Sequence, residues 1–232
     1  NTIYLKVDKV IGHNTDISGF EISMNKLKFD FQNKNVLILG AGGHASVLFD
    51  ILLQQNRTIL GIVSPSIESK CLEHTSIPHL VSDNDIFSFS PTEVKLVNGI
   101  GSLPKSSLRA KLYKKFSEYG YEFETVISNS SIVSNFSKLS EGVQVLHGAI
   151  IQAGSVVGEN TIVNTGAQID HDCHIGSNNH LAPGVVLSGN VHTGESVHLG
   201  TNSGVIQNIK IGYNTLIGAG AIVTADVPPN TI

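Results

Sequence analysis

The amino-acid sequence predicts a small parallel α/β domain followed by a parallel β-helix, and three observations carry that prediction. A hydrophobic beat recurs at every sixth residue from Val133 to Val223. A strand-like run, Asn35 to Leu39, enters Gly40-Ala41-Gly42-Gly43-His44-Ala45 and then an apolar helix. Between these two features apolar strands alternate with helical patterns, the mark of a parallel sheet.

The beat is Val133, Leu139, Val145, Ile151, Val157, Val163, Ile169, Ile175, Leu181, Leu187, Thr193, Leu199, Val205, Ile211, Ile217 and Val223. Only Thr193 is not aliphatic. Two residues before nearly every beat stands a small or β-branched residue, such as Ala149, Ser155, Ala167, Cys173 or Val191, and Gly often follows the beat, as at Gly158, Gly176 and Gly200. Period six fits neither an amphipathic helix nor a plain strand pair; it is the signature of hexapeptide repeats wound into a β-helix. Side chains alternate along a short strand, so the beat and the residue two before it point inward while the one between points out. Three sixes close one triangular coil, and residues eighteen apart stack at about 4.8 Å. The chain thus divides into an N-terminal extension, 1–33, a Rossmann-like α/β domain, 34–130, and a β-helix, 131–232.

Composition narrows the function. A net charge of −4 with no basic face argues against nucleic acid as a partner. The two cysteines, Cys71 and Cys173, are far apart and suggest neither a disulfide framework nor a Cys-based zinc site. No apolar run approaches the ~20 residues of a membrane span. Lys6, Asp8 and Lys9 interrupt any leader-like segment, so a cytoplasmic protein is expected.

In chain order, Ile3 to Val7 alternates like a strand, and Phe20, Ile22, Met24, Leu27 and Phe31 have helical spacing. Between them Gly12-His13-Asn14-Thr15-Asp16 resembles the substrate-binding stretch of shikimate dehydrogenases, which implies shikimate-hydroxyl contacts for Asn14 and Asp16. A capped turn with Asx-type hydrogen bonds is the competing reading. The Asn-Val-Thr-x-Pro-x-Lys segment that carries that family's catalytic lysine has no counterpart. A shikimate-type NADP oxidoreductase fragment is therefore the weaker alternative.

The strand–glycine–helix opening at Gly40 to Ala45 lets backbone N–H groups approach a phosphate at a helix N-terminus. The next strand, Thr58 to Val63, ends at Ser64-Pro65, without the acid that an NAD site places about 20 residues after its glycines. Glu68 stands beyond that spacing, which favours another phosphate-bearing ligand. A third strand spans Val94 to Ile100, a helix Ser106 to Tyr119, and a last short strand Phe123 to Ile127.

Histidines concentrate in the repeats. His174, His180, His192 and His198 fall one before the beat and point outward, whereas His171 sits at a corner between Asp170 and Asp172. Three roles compete: a metal ligand, a solvated surface group, or a general base whose neighbouring carboxylate fixes the tautomer. The zinc sites of β-helical carbonic anhydrases pair histidines five apart within a coil. That spacing is absent, and no metal is expected.

Gly40-Ala41-Gly42-Gly43-His44-Ala45, Ile169-Asp170-His171-Asp172-Cys173, His180-Leu181-Ala182-Pro183-Gly184 and Gly189-Asn190-Val191 together resemble the sialic acid O-acetyltransferase and UDP-amino-sugar N-acetyltransferase family, over residues 34 to 232. The resemblance implies a Rossmann-like domain joined to a left-handed β-helix, a homotrimer with sites between subunits, and acetyl transfer to a nucleotide-linked or sialic-type sugar in polysaccharide biosynthesis. It implies His171 as general base, with Asp172 raising its basicity. It implies acetyl-CoA along His180, Gly189, Thr201 and Ala219, and the sugar nucleotide on Gly42, Gly43, His44 and Gly101. Val63-Ser64 replaces the acid that relatives carry after the second strand. The family's Gly-x-Pro-Ala tail is missing after Asp226 to Ile232, which implies weaker CoA binding. A non-catalytic, ligand-binding β-helix is the remaining alternative.

Overall fold

The computed structural model describes residues 2–6, 9–13, 35–73, 75–104 and 106–232. The chain separates into two compact units, 1–33 and 34–232. In the first, the strands Thr2–Lys6 and Lys9–His13 pair antiparallel with Thr2 opposite His13. Asn14, Asp16 and the helical spacing from Phe20 to Phe31 lie outside the described residues.

The second unit opens with a four-stranded parallel sheet in the order His79–Leu80, Ile59–Val63, Asn35–Leu39, Val94–Asn98. Residues of the central strand alternate between two cores. Val36 and Ile38 pack with Leu48 and Ile51 of the helix Gly43–Gln54, while Leu37 and Leu39 pack with Phe116 of the helix Leu108–Glu118. Burial on both faces explains why that strand is a continuous apolar run. The first helix starts at Gly43, earlier than its apolar pattern suggests, because the glycine loop forms its first turn. The strand expected over Phe123 to Ile127 is split between two sheets. Phe123 bridges to Leu96, whereas Val126–Ile127 pairs with Gln144–Val145 and is the first rung of the β-helix. The strand His79–Leu80, the helix Lys70–Glu73 and the 3-10 turn Asp83–Ser88 are too short to give a periodic signal.

The repeats form three parallel sheets. The first face stacks strands from Val126–Ile127 through Gln144–Val145, Ile162–Val163, His180–Leu181 and His198–Leu199 to Leu216–Ile217. The second runs from Ile132–Val133 to Ile222–Val223, and the third from Lys138–Leu139 to Lys210–Ile211. Register confirms the eighteen-residue coil, with Ile162 opposite His180 and His180 opposite His198. Beat residues from Val145 to Leu187 are buried, each burial stabilising by roughly 1.5–3 kcal/mol. Thr193 breaks the beat because Asn179 lies inside the coil; its amide donates to Thr193 Oγ1 at 2.6 Å.

A second beat of six governs the corners. Every sixth residue from Gly142 to Gly220 has positive φ, and Gly alternates there with Asn160, Asp172, Asn178, Asn190, Ser196, Asn202, Asn208 and Asn214. Asn and Asp tolerate the left-handed region better than other side chains because they hydrogen-bond locally. Elsewhere in the turns the constraint is space. A Cβ on Gly158 would stand 2.6 Å from the carbonyl carbon of Gly176 in the next coil, whereas one on Gly218 meets nothing within 4 Å. Gly158→Ala is therefore expected to destabilise the fold by about 1–3 kcal/mol, and Gly218→Ala to leave it nearly unchanged. Denaturant unfolding of the two variants checks the contrast.

Candidate functional site

The chemistry-bearing side chains form two groups, one on the corner between the second and third faces and one against the first face. That corner borders both other faces but not the first, so the groups lie on opposite sides of the coil.

At the corner, the His171 backbone N–H donates to Asp170 Oδ1 at 2.8 Å. Asp172 occupies the left-handed region at φ 60°, which turns its carboxylate back so that Oδ2 meets His171 Nδ1 at 2.8 Å. An Nδ1–H donated to that carboxylate leaves Nε2 as the basic atom. The floor is Gly189, one coil on, where a Cβ would stand 2.6 Å from His171 Nε2. Both His171 and Asp172 are exposed. The hydrogen bond to Asp172, with the Asp170 charge behind it, holds the His171 pKa above its ordinary value. Cys173 points into the coil fully buried and donates its thiol to the Ser188 carbonyl. Burial pushes that thiol pKa up, which suits a packing group and not a nucleophile.

The other group lines the crevice where strand order reverses, between Asn35–Leu39 and Val94–Asn98, the ligand position of open α/β sheets. A Cβ on Gly99 would stand 2.7 Å from the Leu39 carbonyl oxygen, so the two strand ends approach only because that residue is glycine. Gly42 precedes the helix Gly43–Gln54 with no side-chain cap, leaving first-turn N–H groups for an anion. Gly101 borders His44, where a Cβ would lie 3.5 Å from the His44 Cβ.

His44 Nε2 meets Gln144 Oε1 at 2.8 Å, and Gln144 Nε2 donates to the Asn98 carbonyl at 2.8 Å. Arg109, 6% exposed, donates to the carbonyls of Asn98 at 2.7 Å, Ile100 at 2.8 Å and Asn160 at 3.1 Å. Burial lowers its pKa to about 9. These bonds tie the α/β domain to the β-helix, and sequence reasoning singled out none of Arg109, Gln144 or Asn98. Arg109 lies on a helix whose apolar spacing, Leu108, Leu112, Phe116 and Tyr119, does not include it. The one available signal is Gln144, polar on an outward column that holds Val126 and Ile162.

His180 does point outward, as its register requires, but it is only 8% exposed because the α/β domain covers the first face. Its ring meets His198 Nδ1 at 3.4 Å and Asn164 Nδ2 at 3.1 Å. Burial, then the charges of His198 and His44, lowers its pKa to about 3. His44 falls to about 4 through burial and then the Arg109 charge.

The residues singled out from sequence therefore divide. His171, Asp172 and Gly189 come together at the corner, while Gly42, Gly43, His44, Gly101 and His180 gather at the crevice. Thr201 and Ala219 are exposed in adjacent coils on the corner between the first and second faces, the opposite edge of the second face from Gly189. His174 and His192 stack with ring centroids 4.7 Å apart on the third face, beside the corner, where His174 Nδ1 meets the Asp172 carbonyl at 3.2 Å. Among the described residues no group of three or more His, Cys, Asp or Glu could hold a metal ion, and no helix is long and apolar enough to cross a membrane.

Comparison with known proteins gives three kinds of match. The PglD N-terminal domain profile matches residues 35–116, and the bacterial transferase hexapeptide profile matches residues 154–189. PerB from Caulobacter crescentus, solved with CoA and GDP-perosamine, is 34% identical with a TM-score of 0.75, covering 84% of this chain and 91% of that one. The acetyltransferase domain of PglB from Neisseria gonorrhoeae FA1090, solved with acetyl coenzyme A, is 27% identical with a TM-score of 0.77, covering 86% and 95%. A shikimate dehydrogenase (NADP(+)) of Pelagibacter ubique is 54% identical over 46 residues, 20% of this chain, and the match spans only 17% of that relative's length.

The buried histidines link stability to pH. In the unfolded chain each titrates near 6.5, while the folded pKa values of His44 and His180 are about 4 and about 3. Below 6.5 the unfolded state binds more protons, so their contribution is complete above that pH and is lost as pH falls toward the folded values. The thermal midpoint is expected to drop between pH 7 and 5.5, and His180→Gln to flatten that slope. Scanning both proteins at the two pH values measures it.

Proposed function

The chain belongs to the hexapeptide-repeat sugar acetyltransferases with a PglD-type N-terminal domain and a left-handed β-helix, and from that membership we propose that it transfers the acetyl group of acetyl-CoA to an amino or hydroxyl group of a nucleotide-linked or sialic-type sugar. The observation that carries the mechanism is the His171–Asp172 pair, an exposed imidazole with its Nδ1 engaged and its Nε2 free. The sugar amine or hydroxyl attacks the thioester carbonyl. His171 Nε2 takes the proton, the carbon–sulfur bond breaks, and CoA leaves as the thiol once protonated. Asp172 stabilises the imidazolium and fixes the tautomer.

The residues present fit a CoA site of the family's kind. Thr201 and Ala219 offer an exposed, small-residue ledge, and Gly189 keeps the His171 floor free of any side chain. The crevice at Gly42, Gly43, His44 and Gly101 offers uncapped N–H groups for the nucleotide phosphates. His180 is the poorest fit to a thioester contact within one chain, because it lies beneath that chain's own α/β domain.

One chain cannot bring its crevice to its own His171, since they lie across the coil from each other. A neighbouring copy can, which supports a homotrimer whose sites combine the corner of one subunit with the crevice of the next. Mixing inactive His171→Ala subunits with inactive His44→Ala subunits is then expected to restore part of the activity, because some shared sites inherit both intact halves. Activity confined to wild-type subunits would exclude shared sites.

Loss of the base is expected to cost at least 100-fold in kcat, given the usual contribution of general base catalysis. His171 must be neutral to act, and its raised pKa places the acid limb of kcat/KM above pH 6.5. Asp172→Asn removes the main cause of that rise, so the limb is expected to move to lower pH as the plateau falls. Acetyl-transfer assays across pH 5.5–8.5 test both statements, and full activity in His171→Ala would sink the mechanism.

A further inference from the structure

A carboxylate stands beside the glycine loop, although the sequence spacing places none there. The strand Ile59–Val63 ends at buried Ser64, where a dinucleotide fold carries its ribose-binding acid. The chain then reverses. The Ser66 N–H donates to Ser64 Oγ at 3.2 Å, and the N–H groups of Glu68 and Ser69 both donate to the Ala41 carbonyl, at 3.1 and 3.0 Å. Those last two bonds fasten the segment to the glycine loop. A Cβ on Gly42 would consequently stand 3.6 Å from Glu68 Oε2. Glu68 is exposed, and its carboxylate has no hydrogen-bond or ion-pair partner among the described residues.

The crevice thus presents two opposed chemistries within a few ångströms. The helix N-terminus offers donors and favours negative charge. The Glu68 carboxylate accepts hydrogen bonds and repels negative charge. An occupant satisfying both carries phosphate on one side and hydroxyl donors on the other, which is the layout of a nucleoside diphosphate with its ribose. A bare phosphate would satisfy the helix N-terminus but be repelled by the carboxylate.

We propose that Glu68 is a specificity-determining residue that accepts hydrogen bonds from the ribose hydroxyls of the nucleotide, replacing in space the acid that Val63-Ser64 lacks in sequence. The inference rests on the crevice being the nucleotide-sugar site. It makes the protein selective for ribonucleotide over 2′-deoxyribonucleotide carriers, independently of which sugar is acetylated.

The test is calorimetric titration of the full chain with uridine, guanosine and cytidine diphosphates and their 2′-deoxy counterparts. Wild type is expected to bind its preferred ribonucleotide about 10-fold more tightly than the deoxy form, the size of a hydrogen bond to a charged group. Glu68→Ala is expected to erase that ratio by weakening only the ribo form, and Glu68→Gln, which keeps an acceptor oxygen but not the charge, to retain part of it. An unchanged ratio in a folded Glu68→Ala protein, verified by its thermal midpoint, overturns the role of Glu68 while leaving the nucleotide site standing. Absence of binding by wild type to every diphosphate overturns both.

Discussion

Each coil of the repeat domain exists only because the next one covers it. A two-residue strand has no stability alone, but stacked eighteen residues apart it gains backbone partners above and below while its inward aliphatic side chain joins a continuous column. The column tolerates few exceptions. Asn179 enters it at the cost of Thr193, a polar beat that accepts its amide hydrogen bond. Because the interior is fixed so tightly, variation is pushed outward, to the faces and corners where the chemistry lies.

The corners then decide what chemistry is possible. A residue at the left-handed corner position must be Gly or a short polar side chain, and Asp172 meets that steric demand while carrying a charge. The backbone conformation that closes the coil is also the one that aims its carboxylate at His171. The coil below contributes Gly189, whose missing side chain leaves room for the imidazole. The His171–Asp172 pair is thus built from the same turn that every coil repeats, with only the side chains changed.

The first face has a different task. Its outward column, Val126, Gln144, Ile162 and His180, meets the helix Gly43–Gln54 and the loop after the strand Val94–Asn98. Apolar contacts supply area there, and the bonds of Arg109 and Gln144 to backbone carbonyls fix orientation. Arg109 is buried without a carboxylate partner among the described residues, and its bonds to the Asn98 and Ile100 carbonyls hold the strand end that lines the crevice. Packing of the two domains and shaping of the crevice are therefore one set of interactions.

The sequence by itself determined the β-helix, its eighteen-residue coil, the inward Cys173, the glycine-loop opening and the isolation of His171 between acids. Each is encoded by local periodicity or by neighbours in the chain, and such patterns survive without knowledge of the fold. Tertiary structure alone decided that outward-pointing His180 is buried, that Val126–Ile127 belongs to the β-helix and that Glu68 reaches Gly42. It alone set the crevice and the His171 corner on opposite sides of the coil. Those facts depend on which face another domain covers and on how a loop turns back, and neither leaves a period in the sequence. Direction relative to a strand can be read from a repeat; exposure cannot, because it depends on what packs against that direction.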